Sequence, residues 1–108
     1  MDLRDVEDKA NDVAQVLRMI ANPHRLLILC QLAEGACCVG DLEQRVALSQ
    51  SALSQHLARL RQEGIVTARR QGQQVIYDLP GGQVRETLLA LYDIYCRREA
   101  SAAEGSSD

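Results

Sequence analysis

Phenylalanine and tryptophan are absent from this 108-residue chain, and its aromatic residues are three tyrosines, Tyr77, Tyr92 and Tyr95. A core built from this material must be aliphatic. No apolar run approaches the length of a membrane span, so no membrane-crossing helix is expected. The opening MDLRDVEDKANDV is acidic and polar, unlike a secretory signal, which sets the expectation of a cytoplasmic protein. In that compartment the four cysteines, Cys30, Cys37, Cys38 and Cys96, read as reduced, reactive or metal-binding thiols, not as a disulfide framework. Internal repeats are missing too. So is the equipment of an enzyme: there is no nucleophile with a base, no cofactor loop, and no Cys-x-x-Cys opening a helix after a strand. No catalytic activity and no cofactor are expected.

What is present is unevenly distributed. The net charge of −3 argues against a polyanion partner until it is mapped along the chain. Residues 49–79 carry Arg59, Arg61, Arg69 and Arg70 against Glu63 and Asp78, a local +2, while the segments on either side are net acidic. The local field, not the total, steers a nucleic acid.

Leu3, Val6, Ala10, Val13, Leu17 and Ile20 are spaced 3, 4, 3, 4, 3, a narrow apolar seam suited to another helix. Asn22-Pro23 reads as a cap followed by proline at the first helical position. It opens a second helix, PHRLLILCQLAE, apolar around most of its circumference, which Gly35 should stop. A short helix follows with Val39, Leu42 and Val46 on one side. After the break Ala47-Leu48-Ser49 comes a helix with Leu53, Leu57 and Leu60 on its packing face and Gly64 at its end. Ser51, Ser54, Gln55 and Ala58 fall on the opposite side, with Gln50 at its start.

The period then changes. IVTARR and QVIYDL are β-prone runs joined around Gln71-Gly72-Gln73, a hairpin pattern. Pro80-Gly81-Gly82 breaks the chain before a last helix with Val84, Leu88, Leu91 and Tyr95 in step. One domain is expected over residues 1–98, with a disordered polar tail over 99–108.

Helix, short turn, helix and hairpin is the order of a winged helix-turn-helix, so the expected class is mainly α with a small β-hairpin. A recognition helix packs by one face and offers the other to base edges in the major groove. Gln can bond adenine at two points, Ser donates or accepts without bulk, and Ala58 can meet a thymine methyl. Gln50, Ser51, Ser54 and Gln55 are therefore the candidate base readers. Arg69, Arg70 and Gln71 on the hairpin are candidates for phosphates or a minor groove.

At this point the chain resembles a known family. LRMIANPHRLLILCQLAEG, CVGDLEQRVALSQSALSQHLARLRQEGIVTARRQGQQVIYDL and LYDIYC together resemble the ArsR/SmtB family of winged-helix repressors, and within it the branch that senses reactive sulfur. The resemblance spans roughly residues 8–97. It implies a homodimer formed by the first and last helices, bound to an imperfect palindrome of double-stranded operator DNA. It further implies that Cys30 in LLILC and Cys96 in DIYC are a dithiol switch, bridged through a disulfide or polysulfide by persulfides. Such bridging is ordinary thiol exchange.

Cys37 and Cys38 depart from that branch. Cys38 precedes VGDL, where a capping serine is usual. The family's arsenic sensors carry Cys-Val-Cys-Asp-Leu; here Cys38 matches the first cysteine, but Gly40 stands at the second. An arsenite- or metal-responsive repressor using Cys37, Cys38 and a third thiol stays open as the alternative. The family's zinc site needs histidine on the last helix, and QVRETLLALYDIYC has none, so no metal is expected there. His24 and His56 read as structural.

Overall fold

The structure is a computed structural model that describes residues 1–97. Arg98 and the tail expected to be disordered lie outside the described residues. The elements run α1 (Leu3–Ile20), α2 (Pro23–Glu34), β1 (Cys37–Cys38), α3 (Val39–Arg45), α4 (Gln50–Gln62), β2 (Thr67–Gln71), β3 (Gln74–Asp78) and α5 (Gln83–Tyr92). This is the expected winged helix-turn-helix: α3 and α4 are the two-helix unit and β2–β3 the wing.

The helix starts follow from local chemistry. The Asn22 side chain accepts the backbone N–H groups of His24 at 2.9 Å and Arg25 at 3.1 Å, with Pro23 in the first turn, where it sacrifices no helical bond. Ser49 caps α4 by accepting the Ala52 N–H at 3.1 Å. The end of α4 is a Schellman turn. Gly64 sits at φ +78°, its N–H bonds the Arg61 carbonyl at 3.0 Å, and Ile65 bonds the Leu60 carbonyl at 2.9 Å. That turn drives Ile65 and Val66 into the core before the wing begins. Gly35 does end α2, but in an extended conformation, not a left-handed one.

The core is aliphatic, as the missing aromatics require. Ile28, Leu29, Leu32, Leu42, Leu53, Leu57, Leu60, Leu79 and Leu88 are its fully buried side chains, and no polar side chain is buried among the described residues.

Three features differ from the sequence expectation. First, Cys37–Cys38 forms a third strand, giving an antiparallel sheet ordered β1-β3-β2 with Cys37 opposite Tyr77 and Cys38 opposite Ile76. Second, the α5 stripe of Val84, Leu88 and Leu91 faces the core, with Leu88 only 1% exposed. The homodimer that the resemblance implies was expected to use Leu88, Leu91 and Tyr95 of this helix; Leu88 and Leu91 pack inward, and Tyr95 stays exposed. The adjoining stripe, with Leu89 and Tyr92, is the one left open. Third, α2 is not apolar contact all round, since Leu27 is 49% exposed. Beyond Tyr92 the last helix widens into a π-helical turn over Asp93–Arg97.

Candidate nucleic-acid interface and thiol pair

On α4 the 3.6-residue period sorts the side chains cleanly. Leu53, Leu57 and Leu60 are fully buried, while Gln50, Ser51, Ser54, Gln55 and Ala58 are exposed. The Ser and Gln side chains on this face make no hydrogen bond within the described residues, so their donors and acceptors are open to another molecule. The wing runs Thr67↔Asp78 to Gln71↔Gln74, closed by a two-residue turn with Gly72 at φ +64°. Arg69, Arg70 and Gln71 are all exposed. Successive strand residues point to opposite faces, so Arg69 and Arg70 leave the ribbon on different sides.

Several long-range contacts set the frame and were invisible in the sequence. From the first turn of α2, Arg25 Nη1 donates to the Met19 carbonyl at 3.2 Å. Its Nη2 pairs with Glu63 Oε2 at 2.7 Å, tying α1, α2 and the end of α4 together. From the first turn of α5, Arg85 Nη2 donates to the Leu32 carbonyl at 3.4 Å and lies 3.7 Å from Asp78 Oδ1. His24 and His56 meet edge to face, ring centroids 5.3 Å apart at 76°. Burial, then the charges of His24, Arg25 and Arg59, hold the His56 imidazole below its ordinary value of 6.5.

The four cysteines are free thiols and fall into two places. Cys30 is half-buried on α2 against the core, and Cys96 is exposed in the π-helical turn. Burial pushes the Cys30 thiol up, and the neighbouring charges of Cys96 and Glu34 add to it. The structure thus brings Cys96 into the electrostatic reach of Cys30. Cys37 and Cys38 lie elsewhere, on β1. Cys37 is buried and receives Arg45 Nη1 on its Sγ at 3.9 Å; burial raises its thiol, Arg45 opposes, and Asp41 and Cys38 add to the rise. Cys38 occupies the cap of α3 without a side-chain cap bond. Strand alternation turns these adjacent thiols to opposite faces of the sheet, which counts against their closing on one arsenite or metal ion. No cluster of three or more His, Cys, Asp or Glu side chains suited to a metal occurs among the described residues.

A polar outward helix delivered by a helix-turn-helix, beside a hairpin that carries arginines, defines a winged-helix DNA-binding regulator. Comparison with known proteins gives the family. The chain belongs to the arsR family of bacterial regulatory proteins, whose pattern matches residues 22–68. It is 41% identical over 102 residues to a biofilm growth-associated repressor of Xylella fastidiosa, covering 94% of this chain and 90% of that one. The crystal structure of the transcriptional repressor BigR from Xylella fastidiosa superposes with a TM-score of 0.80 at 42% identity, covering 89% of this chain and 98% of that one. The transcriptional activator HlyU of Vibrio cholerae is 41% identical over 97 residues, 90% of each chain. The structure of reduced HlyU gives a TM-score of 0.75 at 41% identity over 86% of this chain and 98% of that one. These are transcriptional regulators and not enzymes, and the same holds for this chain. No helix among the described residues is long and apolar enough to cross a membrane.

Proposed function

We propose that this chain is a homodimeric repressor that binds palindromic operator DNA in the cytoplasm and releases it when reactive sulfur species bridge Cys30 and Cys96. The observation that carries the switch is the placement of two free thiols, Cys30 on α2 and Cys96 just beyond α5, the helix that packs on α2. Gln50, Ser51, Ser54 and Gln55 read bases, and Arg69, Arg70 and Gln71 engage the backbone. The open stripe of α1, together with Leu89 and Tyr92, supports pairing of two copies. The repressor assignment follows the Xylella relatives.

The chemistry divides unequally between the thiols. Cys96, the exposed one, attacks the outer sulfur of a low-molecular-weight persulfide as thiolate. The S–S bond breaks, a thiolate leaves, and Cys96 carries a persulfide. Cys30, as thiolate, then attacks the Cys96 sulfur, hydrosulfide leaves, and a disulfide closes. A second sulfur transfer before closure leaves extra sulfur in the bridge. A direct disulfide needs Cα atoms about 4.4–6.8 Å apart, and each inserted sulfur extends the reach by up to ~2 Å.

Mass spectrometry after persulfide treatment, paired with operator affinity, tests this. Persulfide is expected to weaken binding at least ~10-fold, a coupling of about 1.4 kcal/mol. Cys30→Ser or Cys96→Ser abolishes the response and keeps reduced-state binding, whereas replacing Cys37 and Cys38 together leaves it. If the Cys37/Cys38 double variant were the insensitive one, or arsenite alone released DNA through those thiols, the metalloid reading would replace this one.

A further inference from the structure

Arg85 lies far along α5 from the thiols, roughly 16 Å of helix before Cys96 at the usual rise per residue. Its guanidinium nevertheless touches the element that carries the other thiol. Nη2 reaches the Leu32 carbonyl, in the turn of α2 just past Cys30, at 3.4 Å. The same nitrogen lies 3.7 Å from Asp78 Oδ1. Asp78 is the last residue of β3, paired in register with Thr67, whose Oγ1 donates to the Asp78 carbonyl at 3.4 Å. It is the base of the wing, and Arg69 and Arg70 lie a few residues along the partner strand.

Both Arg85 contacts are long. A nitrogen–oxygen hydrogen bond settles near 2.9–3.0 Å, and neither acceptor has been given that. The Nε of the same side chain is buried with no partner. Native structures rarely leave a buried donor unpaired. The guanidinium is therefore held between two acceptors, fully committed to neither. A small movement of α5 against α2 strengthens one contact and weakens the other, which is how a packed element comes to have two arrangements that a distant event can bias.

We propose that Arg85 is the positioning residue that couples the Cys30–Cys96 bridge to the wing. The proposal rests on the thiol-switch reading above. Bridging draws the end of α5 toward α2. Arg85 then closes on the Leu32 carbonyl and lets go of Asp78, and the wing loses its tie to α5 while β1 still joins it to α3. Cys30 and Cys96 still react in the absence of Arg85, but the reaction goes unheard at the DNA.

The test uses the full chain and its operator duplex, with affinity measured reduced and after treatment with a low-molecular-weight persulfide. Arg85→Met keeps the length and packing and removes the donors. Its reduced-state affinity is expected to fall at least ~10-fold, to the level of the bridged wild type, and its further loss on treatment to shrink from at least ~10-fold to under ~3-fold. Mass spectrometry shows the bridge still forming in it. Arg85→Lys, which keeps the charge, restores part of the response. A structural role alone would lower thermal stability and leave the ratio of the two affinities unchanged. Asp78→Asn removes the charge of the wing-side partner without touching the core and decides the matter if Arg85→Met fails to fold. Wild-type release with equal release in Arg85→Met, or in Asp78→Asn if that variant decides, overturns the coupling and leaves the switch intact. A wild type that bridges without releasing DNA overturns both.

Discussion

The outward face of α4 and the outward stripe of α1 are both helical and exposed, but they are built from opposite materials. On α4 the exposed residues are short and polar, Gln50, Ser51, Ser54 and Gln55, with their hydrogen-bonding groups unused. On α1 they are Leu3 at 71% exposure, Val6 at 45%, Val13 at 52% and Leu17 at 49%. Water satisfies the first face, so nothing compels it to be covered, and a partner must compete by offering better-aligned groups. The second face gains from any apolar cover, at about 25 cal/mol for each Å² removed from water. Exposure alone does not mark a partner. The chemistry of what is exposed says whether the partner is conditional, as an operator is, or standing, as a second subunit is.

Breaking the proposed dimer is expected to have the largest effect. Leu17→Asp or Val13→Asp places a charge in the apolar stripe and should convert the dimer to monomer in sedimentation equilibrium. Operator affinity then falls by about 10²–10⁴, because the second half-site is no longer held by the first. A charged stripe that still sediments as a dimer would contradict the assignment of this face.

A smaller effect separates base reading from backbone holding on the polar side. Gln55→Ala is expected to cost about 1–3 kcal/mol of specific binding and to relax preference at particular base pairs. A single wing arginine changed to Ala should instead weaken binding to all sequences and lower the salt slope by about 1. Unchanged sequence preference in Gln55→Ala would move the reading face elsewhere.

The smallest effect lies behind the reading face, at His56. Its imidazole is held below 6.5 by burial and by His24, Arg25 and Arg59. As pH falls below the unfolded value, the unfolded chain takes up a proton that the folded chain refuses. The stability held above that pH is lost progressively as pH drops, until the folded imidazole titrates as well. His56→Gln should therefore flatten the decline in Tm between about pH 7 and pH 5 by a few degrees at most. An unaltered slope would show that the burial of His56 adds nothing to the pH dependence of stability.

Much of this arrangement was legible because it is local. Asn22-Pro23, Ser49 and Gly64 sit where caps and turns need them, and the leucine spacing of α4 identified its buried side without any knowledge of the partner. The last helix was less clear, because two neighbouring stripes both carry apolar residues and periodicity does not rank them. Val84, Leu88 and Leu91 went to the core and Leu89 and Tyr92 to the outside. A two-residue strand such as Cys37–Cys38 is too short to show any period. The Arg85–Leu32 and Arg25–Glu63 contacts join residues 53 and 38 positions apart, and no local signal marks either arginine as a clamp. The thiol pair came from family resemblance alone, since nothing in the spacing of Cys30 and Cys96 says that α2 and the end of α5 meet.

That short third strand has a consequence for the duplex. Because β1 pairs with β3 and α3 begins at the next residue, the wing and the helix-turn-helix share one sheet. A wing joined only through its own hairpin could pivot to follow the DNA. This one is geared to α3, so on the proposed DNA interface the span between α4 and the wing is set by the protein. With both elements on DNA, the molecule acts as a caliper: groove width must come to it. Groove width depends on sequence, so base pairs that neither element touches still alter affinity through the shape they impose. An operator scan would show selection at those silent positions.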